Sequence, residues 1–109
     1  MAWLVRGEDV LAAAELALTR QQRRHGLVGR DDLDGVLVLR PCKQVHTFGM
    51  KFPIDVAFCD GDGFVLHTCT LSPWRVSKPI LRSRLVVEAR AGAFDRWKVR
   101  PGDVIEVCG

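Results

Sequence analysis

The stretch that decides the fold runs from Ile54 to Leu71 and reads IDVAFC, then DGDG, then FVLHTCTL. Two runs rich in β-branched and aromatic residues flank the turn-forming residues Asp60–Gly63, and this pattern is typical of a β-hairpin. Pairing about that turn places Cys59 opposite Phe64. The residues that then share one face are Ile54, Val56, Phe58, Val65, His67, Cys69 and Leu71. Asp55 lies on the other face, so the stretch predicts a hairpin with one largely apolar side.

Several short strands are predicted outside this hairpin. They are short apolar runs that end at glycine, proline or aspartate, and they cover residues 3–6, 36–39, 85–89 and 104–107. The run Val10–Leu18 alternates with period two but is rich in alanine, so by itself it fits a strand or a helix. Thr19 and Gln22 have capping-box spacing, which starts a short helix over 20–25 and favours a strand before it.

These elements define the predicted fold class. With one further helical turn at 94–98, they amount to six or seven short strands and one or two short helices. The sequence therefore predicts a mainly β fold, a small barrel-like or sandwich sheet.

Length and composition limit the class of protein further. The chain has 109 residues, of which 48% are hydrophobic and 27% charged, with a formal net charge of +3. This predicts a single soluble domain over residues 1–109 and excludes disordered and collagen-like chains. No run approaches the roughly 18 apolar residues that a membrane span needs. Acidic Glu8 and Asp9 precede the run Val10–Leu18, which argues against an export signal and predicts a cytoplasmic protein without a membrane partner.

Two motifs resemble a known family. Arg24–Arg30 reads RHGLVGR and Val45–Phe58 reads VHTFGMKFPIDVAF. In this order, and together with the hairpin, they are similar to the bacterial and archaeal proteins grouped as domain of unknown function 192. The resemblance covers about residues 10–107 and departs at Val28, where the family usually carries methionine. It implies a compact, mostly β domain with a strand at 10–18, but no reaction, cofactor or catalytic residue.

The segment from His46 to Asp55 is the predicted binding site. Gly49 allows close backbone approach and Pro53 interrupts a regular strand, so the segment is expected to present side chains along a groove. The predicted binding residues are Arg30, His46, Phe48, Met50 and Asp55. They suit a small ligand or a protein partner. The structural alternative is that the apolar side chains fill the core while Asp55 caps a turn or pairs with an arginine.

The runner-up hypothesis is a small enzyme. Cys42 and His46 could form a thiolate–imidazole pair that Asp55 orients. Alternatively, Cys42 and His46 together with His67 and Cys69 supply a zinc-binding donor set, although neither spacing is that of a zinc finger and no Cys-x-x-Cys pair is present. The leading interpretation includes no metal and no cofactor.

Two clusters of basic residues are candidates for nucleic-acid binding. The first comprises Arg20, Arg23, Arg24 and Arg30, and the second comprises Arg75, Lys78, Arg82 and Arg84. Asp31, Asp32 and Asp34 directly follow the first cluster and are expected to offset it. The pattern therefore favours solvated charged surfaces over a nucleic-acid interface.

Overall fold

The computed structural model describes all 109 residues and confirms the mainly β fold. Two short helices, α1 (Arg20–His25) and α2 (Ala93–Trp97), accompany seven strands. The strands are β1 (Ala2–Arg6), β2 (Asp9–Ala17), β3 (Val36–Leu39), β4 (Ile54–Cys59), β5 (Val65–Leu71), β6 (Leu85–Arg90) and β7 (Glu106–Cys108). No helix has the length and apolar character that crossing a bilayer requires.

The seven strands form one strongly curled sheet in the order β5-β4-β6-β3-β2-β1-β7. All neighbours are antiparallel except β2 and β3, and α1 lies in the connection between those two parallel strands. Near β7 the chain also meets β5: the N–H of Val65 donates to the carbonyl of Asp103 at 2.8 Å, and the N–H of Ile105 to that of Gly63 at 2.9 Å. These bonds bring the two ends of the sheet together, so the architecture is a half-barrel rather than a sandwich.

The β4–β5 hairpin forms where the sequence predicts it, but in a different register. Phe58 pairs with His67, whereas the next residue, Cys59, pairs with Val65. Leu66 is thus an extra residue in β5, a β-bulge that moves everything beyond it by one position. The predicted pairing of Cys59 with Phe64 is therefore wrong. Val65 lies on the same side of the sheet as Cys59, away from the face that carries His67.

Apolar side chains bury both faces of the central strands. The inner cluster lies within the curl and joins strands from both ends of the sheet; its members are Leu4, Val36, Val38, Ala57, Cys59, Val65, Leu85, Val87, Ala89, Ala93, Phe94, Val99 and Ile105. The outer cluster lies beneath the connections that follow α1 and β3; its members are Ala17, Leu27, Leu33, Leu37, Leu39, Val45, Met50, Phe52, Ile54, Val56, Phe58 and Val86. Burial on both faces explains why β3 is apolar at every position.

The contact that closes the curl gives a stability test. Gly63 has φ +86°, and a Cβ atom there would lie 2.0 Å from the carbonyl oxygen of Ile105. We expect Gly63→Ala to lower the free energy of unfolding by about 2 kcal/mol or more, because both the conformation and the space are denied to alanine. Gly61→Ala, where a Cβ meets nothing within 4 Å, is the control and should change it by less than about 1 kcal/mol. Urea unfolding followed by circular dichroism measures both, and equal losses would contradict the assignment.

Candidate functional site

The five residues predicted to bind a ligand do not share one groove. Met50 is buried in the outer cluster, and Arg30 forms an ion pair with Glu15 at 2.7 Å. His46 and Phe48 are exposed and stack on each other, with ring centroids 5.1 Å apart. Asp55 is buried and belongs to the opposite side of β4. The structure therefore brings together only His46 and Phe48 of the predicted set.

The carboxylate of Asp55 holds the start of α2. Its Oδ1 accepts a hydrogen bond from the hydroxyl of Thr70 at 2.7 Å. Its Oδ2 accepts the backbone N–H groups of Gly92 and Phe94, at 3.0 and 3.1 Å. These N–H groups lie at the N-cap and in the first turn of α2, where N–H groups lack intrahelical partners. The contacts of Asp55 are therefore those expected from the structural alternative, in which this carboxylate caps a turn.

The residues of the enzymatic alternative are also separated. No three of the histidine, cysteine, aspartate and glutamate side chains are grouped so that they could hold a metal ion, so Cys42, His46, His67 and Cys69 do not form a zinc site. Asp55 does not orient His46, whose Nδ1 instead accepts the N–H of Phe48 at 3.2 Å. Burial raises the pKa of the Cys42 thiol and the nearby Glu88 charge raises it further. Cys42 is therefore not an activated thiolate.

A cavity lies between α1 and the segment Pro41–His46. It has a volume of about 390 Å³ and is called the α1 pocket here. Its polar lining includes Arg20, Arg23, Arg24, Lys43, His46 and Glu88. The volume lies in the range of small-molecule sites, roughly 300–1,000 Å³.

Local sequence signals place the basic side of α1 at this pocket. The hydroxyl of Thr19 accepts the N–H of Gln22, and the side chain of Gln22 accepts the N–H of Thr19, both at 3.1 Å, so the predicted capping box is formed. The guanidinium of Arg23 donates to the carbonyl of Leu18 and, at 3.1 Å, to that of Arg40. This double contact fixes the helix against the chain that follows β3.

Glu88 forms the floor of the α1 pocket. It lies in the middle of β6, with Leu37 and Val56 as its cross-strand partners, and only 3% of its surface is exposed. Its carboxylate forms no hydrogen bond or ion pair with the protein, and burial raises its pKa to about 7. A Cβ atom on Gly26, at the end of α1, would lie 4.0 Å from Oε1 of Glu88. The helix end therefore sits over the carboxylate.

The cations of the pocket have no carboxylate partners. The four ion pairs of the protein lie elsewhere and none includes Arg20, Arg23, Arg24 or Lys43. Asp31 pairs with Lys51 at 2.9 Å and Asp32 pairs with Arg90, so these aspartates do not offset the first basic cluster as expected from their position in the sequence. The lining therefore holds four cationic side chains and a single carboxylate, an excess of positive charge.

Sequence reasoning missed Glu88. In the run LVVEAR the side chains of Val86, Glu88 and Arg90 share a face, and an alternating pattern assigns that face to solvent. The face is buried because residues distant in sequence cover it. The sequence signal that could have identified Glu88 is its position as the one carboxylate in a strand that is otherwise apolar up to its last residue.

The fold and this pocket define a small β half-barrel that carries a candidate ligand site on its outer face. The chain matches the DUF192 family, described as Uncharacterized ACR, over residues 3–107, and it belongs to that family. It is also 37% identical over 63 residues to the UPF0127 protein PH1112 of Pyrococcus horikoshii. That match covers 58% of this chain and 55% of the relative, so the comparison spans little more than half the length of that protein.

Two solved structures share the fold. A protein of unknown function from Novosphingobium aromaticivorans superposes with a TM-score of 0.83 and 21% identity, covering 96% of this chain and 82% of that one. A Sinorhizobium meliloti protein described as a "putative transcription regulator" superposes with a TM-score of 0.80 and 23% identity, covering 97% and 91%. At this level of identity the likeness establishes the architecture alone.

The role of Asp55 as a cap can be measured. We expect Asp55→Ala to lower the free energy of unfolding by roughly 2–4 kcal/mol, because three donors, of which the N–H of Phe94 is buried, lose their acceptor. Thr70→Val removes only one of these bonds and should lower it by about 1 kcal/mol. Chemical denaturation of the two variants provides the comparison, and an equal, small loss in both would argue against the capping role.

The burial of Glu88 predicts a pH-dependent stability. The pKa of a glutamate is about 4.3 in an unfolded chain, and folding raises that of Glu88 to about 7. Between these pH values the folded state keeps a proton that the unfolded state has released, so stability falls as pH rises through this window. Since glutamine does not titrate, Glu88→Gln should gain roughly 3 kcal/mol relative to the wild type between pH 4 and pH 8.

Urea denaturation curves at several pH values test this expectation. The control is Glu8→Gln, which changes an exposed carboxylate and should show no comparable trend. A difference between wild type and Glu88→Gln that stays constant with pH would contradict the raised pKa.

Proposed function

We propose that this protein binds a small organic acid in the α1 pocket, and that the acid also carries a hydrogen-bond donor such as a hydroxyl or ammonium group. The observation that carries the proposal is Glu88, a carboxylate 3% exposed that lines the cavity without a hydrogen-bonding partner in the protein. The acid group of the ligand lies toward the cations of α1 and Lys43, and the donor group lies toward Glu88.

The charge of the pocket supports an anionic group on the ligand. The side chains of Arg20, Arg24 and Lys43 make no hydrogen bond and no ion pair with the rest of the protein. Guanidinium groups bind carboxylate and phosphate oxygens through paired N–H donors. A carboxylate entering the cavity would therefore find several donors that need not first break an existing contact.

The buried carboxylate supports a donor on the same ligand. A buried charge without a partner is unfavourable, and a hydrogen-bond donor or cation compensates it. Burial raises the pKa of Glu88, and the cations of the rim line the same cavity. A 2-hydroxy or 2-amino acid has a donor next to its carboxylate. It can therefore bind the cations of the rim through the carboxylate and Glu88 through the donor.

Of the residues that the sequence predicted for binding, His46 alone also lines the α1 pocket. The predicted ligand class, a small molecule, is retained in this proposal. The location moves from the segment His46–Asp55 to the space between that segment and α1.

A second function, catalysis of proton transfer, is supported by the same carboxylate. A general acid or base works best when its pKa lies near the pH of the medium, and burial raises the pKa of Glu88 to about 7. This revises the enzymatic hypothesis, because the acting group would be Glu88 and not Cys42. Exchange of the 2-hydrogen of a bound hydroxy acid with deuterated water, observed by proton NMR, would favour catalysis over binding alone.

Lactate and propionate provide a matched test, since they differ only in the hydroxyl group. At pH 7.5 and low ionic strength we expect lactate to bind about tenfold or more tightly than propionate, because a hydrogen bond to a charged acceptor is worth roughly 1.5–3 kcal/mol. Amide chemical-shift titration of the labelled protein gives both dissociation constants. Shifts should concentrate in residues 20–26 and 41–46.

Three variants separate the contributions to this affinity. Glu88→Met should abolish the preference for lactate, because it replaces the carboxylate acceptor with an apolar side chain of similar size. Arg24→Gln should weaken both acids, whereas Arg82→Gln, an exposed arginine outside the pocket, should leave them unchanged. Equal affinities for the two acids in the wild type, or equal effects of Arg24→Gln and Arg82→Gln, would overturn the proposal.

A further inference from the structure

Three aromatic rings lie in a row beside the α1 pocket. His46 and Phe48 stack with centroids 5.1 Å apart and 23° between their planes, and Phe48 and Trp74 follow at 6.2 Å and 37°. Phe48 is 46% exposed and Trp74 is 64% exposed. We call these three rings the aromatic shelf. Such exposure of adjacent large apolar rings is unfavourable in water and is typical of surfaces that bind something.

A buried threonine holds the shelf in place. The hydroxyl of Thr47 accepts the N–H of Arg75 at 2.9 Å and donates to the carbonyl of Ser72 at 2.6 Å. The backbone of Thr47 donates to Arg75 at 2.8 Å and accepts from Trp74 at 3.0 Å. Thr47 thus joins the chain that carries Phe48 to the chain that carries Trp74. The spacing of the two rings is fixed by the backbone and does not depend on contact between the rings alone.

Trp74 adopts a backbone conformation that its side chain disfavours. Its φ is +63°, in the left-handed region where Cβ crowds the carbonyl oxygen. The side chain gains little burial in return, since most of the indole stays exposed. Strain of this kind is found mainly where a residue has a functional constraint. In this conformation the indole of Trp74 lies beside the ring of Phe48.

His46 connects the shelf to the α1 pocket. Its ring lines the cavity and also forms the first member of the row. The hydrogen bond from the N–H of Phe48 to Nδ1 of His46 keeps that ring in place. A ligand whose acid group lies among the cations of α1 could therefore extend directly onto the shelf.

We propose that the ligand of the α1 pocket carries an aromatic ring, which lies on the shelf formed by His46, Phe48 and Trp74. This inference rests on the proposed function, because the acid group is what places the ring. Aromatic rings pair favourably at centroid distances of 4.5–7 Å. The rings of the shelf already pair with one another at such distances, and their exposed sides are open to a ligand ring. The ligand class is then an aromatic 2-hydroxy or 2-amino acid.

Lactate and 3-phenyllactate are the probes, since the second adds only a phenyl ring to the first. We expect 3-phenyllactate to bind about tenfold more tightly, because the ring leaves water and stacks. The nonplanar 3-cyclohexyllactate should bind more weakly than 3-phenyllactate. The indole N–H signal of Trp74, assigned by its loss in Trp74→Phe, should shift with 3-phenyllactate and stay in place with lactate.

Substitutions show which residues cause the tighter binding of 3-phenyllactate. Phe48→Ala and Trp74→Ala should each reduce the affinity for 3-phenyllactate toward that for lactate while leaving lactate unchanged. Phe64→Ala is the control, since Phe64 is comparably exposed, at 42%, and lies outside the shelf. If lactate binds but 3-phenyllactate binds no more tightly, or Phe64→Ala removes the gain as Phe48→Ala does, the shelf inference is overturned and the proposed function stands. If neither acid binds, both are overturned.

Discussion

Burial of the central strands on both faces is the constraint on which the rest of the structure depends. Every residue of β3 and β4 is buried, so the sheet needs one cover on its inner side and another on its outer side. The curl of the sheet and α2 supply the first. The outer cover comes from the connections that follow α1 and β3, which place Leu27, Val45 and Met50 over the strands. The α1 pocket is the gap where this cover does not close.

Burial of both faces of the sheet places two carboxylates, Asp55 and Glu88, in very different surroundings. Asp55 faces inward and receives three hydrogen bonds, so its charge is stabilised and fixes α2. Glu88 faces outward into the incomplete cover and receives none. A buried carboxylate whose oxygens accept hydrogen bonds from the protein is a structural element, whereas one whose oxygens remain open to a cavity is a candidate ligand contact. This difference moves the candidate site from Asp55 to Glu88.

Local patterns were sufficient to predict much of the fold. The capping box at Thr19 placed α1 over Arg20–His25, and apolar runs bounded by turn residues placed β3 and β4 with their observed limits. The hairpin was predicted but its register was not, because the bulge at Leu66 depends on packing within the curl. Of the residues predicted for binding, only His46 lines the α1 pocket, and Phe48 lies beside it on the aromatic shelf. Glu88 escaped notice because alternation assigns its face of β6 to solvent.

The sequence by itself determined the family, the mainly β class and the positions of the short elements, since these follow from periodicity, caps and turn residues within a few positions of one another. Only the tertiary structure decided which carboxylate has partners, which arginines lack them and which aromatic rings meet. Asp31 and Asp32 follow the basic cluster in sequence yet pair with Lys51 and Arg90. Interactions between charges and between rings depend on their separation in the folded protein, and folding brings together residues that lie far apart along the chain.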